Sequence, residues 1–231
     1  MVAISNGKKG TNLHILAEFT SEVASLRRQY SNTGLTNHQL PDDPMELFNK
    51  WFKEAISSGV PEPNAMTLAT VDETGLPNAR TVLMKGIGES TIRFFTNYES
   101  RKAAEIRYNS TVACVFWWVE LERQVRLRGK AIKVSEKESE EYFKSRPRES
   151  QMGAWASKQS SPVKNREELE KRFSVIREQY ENRDLPKPPF WGGYEINITQ
   201  MEFWQGRPGR LHDRILYEKT EQTWNRKRLM P

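Results

Sequence analysis

The sequence predicts an α+β domain built on a β-barrel, with helices at its periphery. Two observations carry this. At least five short runs of β-branched, aromatic and aliphatic residues are bounded by Gly, Asp, Asn or Ser turn signals, and capped helical segments lie between them. An open sheet is the alternative arrangement of the same elements. The 231 residues suffice for one well-buried domain. That domain is expected over residues 41–231. Residues 1–40 are polar, rich in Ser, Asn and Thr, and weakly patterned apart from a short helical stretch near Glu18 to Tyr30, so they read as a mobile N-terminal arm.

The first strong helix signal is Asp43-Pro44-Met45-Glu46, an N-cap acid followed by a first-turn proline and a Glu at N3. The helix is predicted to reach Gly59, with Leu47, Phe48, Trp51, Phe52 and Ile56 on one face. Strands follow over Met66 to Val71, Ala79 to Ile87 and Ile92 to Asn97, and a brief helix over Glu99 to Tyr108. Thr111 to Val119 and Gln124 to Val134 form a hairpin across Glu120-Leu121-Glu122-Arg123. Period-two alternation sets Gln124, Arg126 and Arg128 on one face of its second strand and Val125 and Leu127 on the other. Ser135-Glu136-Lys137-Glu138 is a capping box opening a helix to about Lys144, and Asn165 to Glu168 opens another that Pro186, Pro188 and Pro189 follow. The chain returns to strands over Tyr194 to Ile198, Met201 to Gln205, Arg210 to Tyr217 and Thr223 to Leu229.

Composition narrows the function classes. Thirty-six Lys and Arg against thirty Asp and Glu leave a formal charge of +6, which favours anionic partners. The longest apolar run, Val112 to Val119, falls far short of the roughly 20 residues of a membrane helix. The start, MVAISNGKKG, lacks the apolar stretch of a secretory signal, and the single cysteine, Cys114, can form no internal disulfide; a reducing, cytoplasmic setting is expected. There is no Walker-type or G-x-G-x-x-G loop, no G-x-S-x-G elbow and no Cys-His pair. His14, His38 and His212, far apart and without cysteine partners, argue against a metal site.

What remains is Arg and Lys set beside hydroxyls, amides and aromatic rings, a combination that binds phosphate and flat rings. Arg80 and Lys85 lie at opposite ends of an apolar strand, serving two anions or two sides of one pocket; charges flanking a surface strand are the simpler reading. Arg101 and Lys102 open a helix, where the macrodipole disfavours cations, so either a bound anion offsets them or solvent does. Tyr142 and Arg146 stand one helical turn apart and can face a common ligand, with Ser150, Gln159 and Ser160 as neutral donors. In "FWQGRPGRLHDR", Arg210, His212 and Arg214 alternate and are expected to project from one strand face, where they repel one another unless an anionic or electron-rich ligand is present.

The stretches "FFTNYESRK", "RQVRLRG", "YFKSRPRESQMGAWASKQS", "WGGY" and "EFWQGRPGRLHDR", in this order, resemble the pyridoxine (pyridoxamine) 5'-phosphate oxidase family from about Leu40 to the final Arg-Leu-Met-Pro. A fainter trace is Arg27-Arg28-Gln29-Tyr30, similar to a segment that folds over substrate in some relatives. The resemblance implies an FMN-binding split β-barrel and a homodimer with two FMN sites at the interface. It also implies cofactor contacts from Arg80, Thr81, Val82, Leu83, Phe95, Thr96, Arg101, Lys102, Gln124, Gln159, Ser160, Trp204 and Arg214. Substrate contacts are implied for Lys85, Tyr142, Arg146, Ser150, Arg210, Leu211 and His212, with Arg210 and His212 as the catalytic pair beside the pyridine ring.

The implied reaction oxidises pyridoxine 5'-phosphate or pyridoxamine 5'-phosphate at C4' to pyridoxal 5'-phosphate. Hydride passes to flavin N5, and O2 reoxidises the flavin to give H2O2. Three positions depart from common family choices: Glu149, whose carboxylate beside Ser150 would oppose phosphate unless it points away, and Trp118 and Trp155, read as packing changes. Two other classes fit parts of the sequence. A non-catalytic flavin or vitamer-phosphate binding protein of the same fold would not need Arg210 and His212. A nucleic-acid binding domain would need a contiguous basic stripe, which the interleaved acidic residues interrupt.

Overall fold

The computed structural model describes residues 20, 22–26, 28–32, 34–36, 38, 40–221 and 223–231. Among the described residues nine antiparallel strands form one sheet: β1 (Ala65–Val71), β2 (Pro77–Leu83), β3 (Gly86–Ile87), β4 (Thr91–Asn97), β5 (Thr111–Trp118), β6 (Arg123–Lys133), β7 (Trp191–Gln205), β8 (Asp213–Lys219) and β9 (Trp224–Leu229). The order is β2-β1-β5-β6-β7-β4-β3, with β8 and β9 carried on the far half of β7. Because β2 runs through Met84 and Lys85 straight into β3, the two ends of this order are joined by the chain. The sheet therefore curls into a barrel, as the alternation of buried and exposed residues expects.

Strand β7 organises the site. Its first half, Trp191 to Asn197, pairs with β4, and its second half, Gln200 to Gln205, pairs with β8. The sequence reads this as two strands with a gap at Thr199 and Gln200; the ladder to β6 instead carries through with one register shift at Arg128/Gly129. Gly129 is required there, since a Cβ would clash with the Asn197 carbonyl oxygen. The predicted strand over 79–87 ends at Leu83, and β3 is a separate short strand.

Five labelled helices pack around the barrel: α1 (Pro44–Ser57), α2 (Arg101–Tyr108), α3 (Glu136–Ser145), α4 (Arg148–Ala156) and α5 (Arg166–Gln179). Asp43 caps α1 by accepting from Met45 N at 2.9 Å, and Ser135 with Glu138 completes the capping box of α3. Helix α1 buries Leu47, Phe48, Trp51 and Ala55; Phe48 meets Phe116 and Trp118, and Trp51 meets Phe203 edge to face. Ile56, expected on this face, is 55 % exposed. Cys114 is buried in the core, which pushes its thiol up to about 12.

Packing against the domain extends to described residues before Leu40. Described residues from Arg28 to Leu40 lie against the domain: the backbone N–H groups of Ser31 and Asn32 donate to the buried Glu122 carboxylate, and Leu35 N donates to buried Asp213 at 2.8 Å. Leu35 and Leu40 join the core. Of the predicted helix near residues 18–30, residues 20 and 22–25 are helical, whereas 28–30 are not; Arg27 lies outside the described residues, as does His14. Among the described residues no helix is long and apolar enough to cross a membrane, and no group of three or more His, Cys, Asp or Glu could hold a metal ion.

Candidate functional site

An open cleft of about 880 Å³ lies between β2, β4, α2, α3 and α4. It gathers Arg80, Thr81, Val82, Leu83, Lys85, Phe95, Thr96, Lys102, Tyr142, Arg146, Ser150 and Gln159 from the sequence-derived set. Arg80 and Lys85 thus line one pocket, Arg80 from β2 and Lys85 from the short link between β2 and β3. The volume is in the range of cofactor sites, roughly 300–1,000 Å³.

At one end of the cleft the Lys102 ammonium is buried with neutral oxygens only: Thr96 Oγ1 at 3.1 Å, Gln159 Oε1 at 3.2 Å and Ser100 Oγ at 3.3 Å. Burial and the neighbouring Arg80 charge bring its pKa down to about 8, with Glu105 pulling the other way. Gln159 Oε1 is itself oriented by donation from Thr96 Oγ1 at 3.0 Å. A lysine desolvated beside another cation, with no carboxylate in contact, is a seat for an anion.

At the other end Arg146, just past the end of α3, lays its guanidinium 4.7 Å over the Trp191 ring. Its Nη1 is buried without a hydrogen-bond partner, and burial lowers its pKa. An unpaired buried guanidinium nitrogen costs desolvation energy that an anionic ligand would recover. Tyr142 stacks on Phe95 at 3.9 Å between centroids, and Phe95 stacks on Trp191 at 5.6 Å, so a stack of aromatic rings lines the cleft beside Arg146. Burial raises the Tyr142 pKa, with Arg146 opposing. Trp191, at the head of "WGGY", was not singled out as a site residue by the sequence; its role depends on β7 running beside β4.

The remaining residues lie elsewhere in the same chain. Gln124, Trp204 and Arg214 face one another in a row across β6, β7 and β8, and exposed Trp117 on β5 extends the row, 5.8 Å from Trp204. Arg214 Nε donates to Glu202 Oε1 at 2.8 Å, an ion pair that raises the arginine pKa. Arg210, Leu211 and His212 do not continue this strand. Pro208 and Gly209 break the chain into a 3-10 turn, with Gly209 and Arg210 both in the left-handed region at φ 66° and 61°, and β8 starts only at Asp213. The expected single face of Arg210, His212 and Arg214 is therefore corrected.

The turn is held by Arg207 N donating to His212 Nδ1 at 3.1 Å, which leaves Nε2 as the nitrogen available to a ligand. His212 packs 4.7 Å from Trp204 and 5.4 Å from Tyr30, and with Arg28, Arg207 and Arg210 it lines a second hollow of about 660 Å³. Asp213 is a buried partner of Arg207 and Arg228. Leu211 is 71 % exposed.

Two sequence-derived contacts are not among the residues lining the cleft. Arg101 donates through Nε to Glu105 at 3.0 Å and lies 3.8 Å from Asp72, so carboxylates offset this first-turn cation. Ser160 is exposed at φ 73°. Glu149 pairs with Arg177 of α5 at 3.4 Å and does not line the cleft. Trp118 is buried, with Nε1 donating to Pro63 O at 2.9 Å, and Trp155 donates to Pro186 O at 2.8 Å; both are packing residues.

Sequence and structure comparisons agree with this arrangement. A family model described as pyridoxamine 5'-phosphate oxidase matches residues 52–180, and one described as the pyridoxine 5'-phosphate oxidase C-terminal dimerisation region matches residues 191–231. A pyridoxine/pyridoxamine 5'-phosphate oxidase from Rubrobacter xylanophilus is 51% identical over 91% of this chain and 97% of its own length. One from Nostoc punctiforme is 50% identical over 90% of this chain and 98% of its own. Among solved structures, PhzG from Burkholderia lata, in complex with tetrahydrophenazine-1-carboxylic acid, superposes with a TM-score of 0.82 at 28% identity, covering 87% of this chain and all of that one. An FMN-binding, pyridoxamine 5'-phosphate oxidase-related protein from Nostoc punctiforme gives 0.65 at 18% identity over 81% of this chain and 97% of that one, a likeness of fold. With the curled split-barrel sheet, the anion-seating cleft and these matches over nearly its whole length, the chain belongs to the pyridoxamine 5'-phosphate oxidase family.

Proposed function

We propose that this protein oxidises pyridoxine 5'-phosphate and pyridoxamine 5'-phosphate to pyridoxal 5'-phosphate, using FMN, as a homodimer with two sites at the subunit interface. The observation that carries the reading is that one cleft holds two cations with no carboxylate partner, buried Lys102 and half-buried Arg146, beside a stack of aromatic rings. Two phosphorylated flat molecules, cofactor and substrate, fit such a cleft. FMN fits the Lys102 end, where Thr96, Gln159 and Arg80 surround the ammonium and Thr81 to Leu83 line the adjoining wall.

The homodimer follows from the length of β7. The cleft lies at the Trp191 end of this 15-residue strand and the Arg210–His212 turn lies beyond the Gln205 end. At ~3.3 Å per residue the strand spans on the order of 45 Å, so a small substrate cannot touch both regions of one chain. A partner subunit presenting its turn to this cleft completes the site. The C-terminal stretch matching a dimerisation region, and the exposed Trp117 and Leu211 near the turn, support that arrangement.

In the reaction Lys85, Tyr142, Arg146 and Ser150 hold the substrate phosphate and fix the pyridine ring. When bound, FMN supplies the two-electron acceptor for C4' oxidation, with O2 as final oxidant and H2O2 as product. The partner's turn covers the ring: Arg210 lies against its face, and His212, whose Nδ1 is occupied by Arg207 N–H, offers Nε2 to a substrate oxygen. Orientation is the main contribution of these side chains.

An absorbance spectrum followed by anaerobic addition of pyridoxine 5'-phosphate tests the reading. Flavin bands that bleach with substrate and return with air are expected. Bands that stay unbleached support the non-catalytic alternative, and a colourless protein that FMN cannot reconstitute removes the reading altogether.

A further inference from the structure

Glu105 is a buried carboxylate that the reaction does not use. It sits on α2 with 3 % of its side chain exposed and accepts four hydrogen bonds from three elements. Thr70 Oγ1 of β1 and Arg80 Nη2 of β2, at 2.9 Å, donate to Oε2. Asn78 Nδ2 of β2 and Arg101 Nε of α2, each at 3.0 Å, donate to Oε1. Arg80 is further tied through Nη1, which donates to Thr70 Oγ1 and to Leu68 O. Burial opposes ionisation of this carboxyl, but the four donors outweigh it and hold the pKa at about 2, so Glu105 is an anion throughout the physiological range.

An anion this close to a phosphate seat should by charge alone weaken phosphate binding. Its geometry does the reverse work: both Nη nitrogens of Arg80 are fixed by Glu105, Thr70 and Leu68, so the guanidinium is held at the cleft wall before any ligand arrives. Arg101 is meanwhile drawn out of the cleft toward Glu105 and Asp72, leaving Lys102 and Arg80 as the ordered cations at this end. We propose that Glu105 is a positioning residue for cofactor-phosphate binding, which fixes Arg80 and selects which cations face the cleft. This rests on the FMN reading above, and the groups concerned are Arg80, Arg101, Lys102 and Asp72 with neutral Thr70 and Asn78.

The test is fluorescence titration of apoprotein with FMN for the unaltered chain, Glu105→Gln and Thr70→Val. Because Arg80 is then no longer tied at the cleft wall, Glu105→Gln is expected to weaken FMN by about tenfold. Thr70→Val, which removes only the hydroxyl bridging Arg80 and Glu105, should weaken it several-fold and serves alone if Glu105→Gln does not fold. Glu105 supports the charge of Lys102, so the alkaline fall in FMN affinity should also move to lower pH in Glu105→Gln, a shift that loss of fold would not produce. Unchanged or tighter FMN binding in the folded variants would overturn the proposal and mark Glu105 as a counter-charge only. Failure of the unaltered chain to bind FMN would instead overturn the reading beneath it.

Discussion

The guanidinium of Arg146 lies 4.7 Å above the ring of Trp191, and its buried Nη1 has no hydrogen-bond partner. The ring fixes the cation by stacking but satisfies none of its N–H groups, so the interaction is complete only when an anion enters. Arg146→Ala is expected to raise KM for pyridoxine 5'-phosphate by about ten- to a hundredfold, the worth of a charged hydrogen bond. Steady-state kinetics check this, and Trp191→Leu should cost only several-fold because a cation–π contact is worth about 0.5–2 kcal/mol.

The pH dependence of cofactor binding follows from Lys102. Its folded pKa is depressed to about 8, so the free protein loses the proton there, whereas the unfolded chain keeps it to about 10.5. FMN affinity should therefore fall as pH rises through about 8, and binding near that pH should take up protons. Stability of the apoprotein should by the same linkage rise with pH between about 8 and 10.5, because the unfolded state then binds more protons. Calorimetry in buffers of different ionisation enthalpy reads the proton uptake, and Lys102→Met should abolish it.

Glu149 is directed at Arg177 on α5 and away from the cleft. Glu149→Gly is expected to leave KM for either phosphorylated substrate within about twofold, since an exposed ion pair contributes little. A large fall in KM would show that the carboxylate does oppose substrate phosphate.

Gly129 sits against the Asn197 carbonyl at the register shift of the long β6–β7 ladder. Gly129→Ala should destabilise the protein by about 2–3 kcal/mol or more, because backbone on both sides must move. Denaturant unfolding measures the loss.

Much of this was legible because its signals are local. The Ser135–Glu138 box, the Asp43 cap and the alternation along β6 each depend on neighbours in sequence, and each has its structural counterpart. Twelve of the residues named from the sequence line one cleft. What the sequence hid arises from distant contacts or from turn chemistry. Trp191 and Glu105 acquire their places only when β7 meets β4 and α2 meets β1 and β2. The alternation of Arg210, His212 and Arg214 suggested a strand that Pro208 and Gly209 prevent. The packed part of the arm depends on Glu122 and Asp213, roughly 90 and 180 residues away, carboxylates whose acceptor role local pattern cannot show.

In the proposed homodimer each site joins the cleft of one subunit to the Arg210–His212 turn of the other. This is read most directly from the activity of a re-equilibrated mixture of Arg146→Ala and Arg210→Ala homodimers, assayed at a substrate concentration low enough that each alone is nearly inactive. In a mixed dimer one site carries both substitutions and the other carries neither, so random exchange should restore about a quarter of the unaltered activity. Activity that remains at the level of the two parents, with subunit exchange confirmed, would contradict the account.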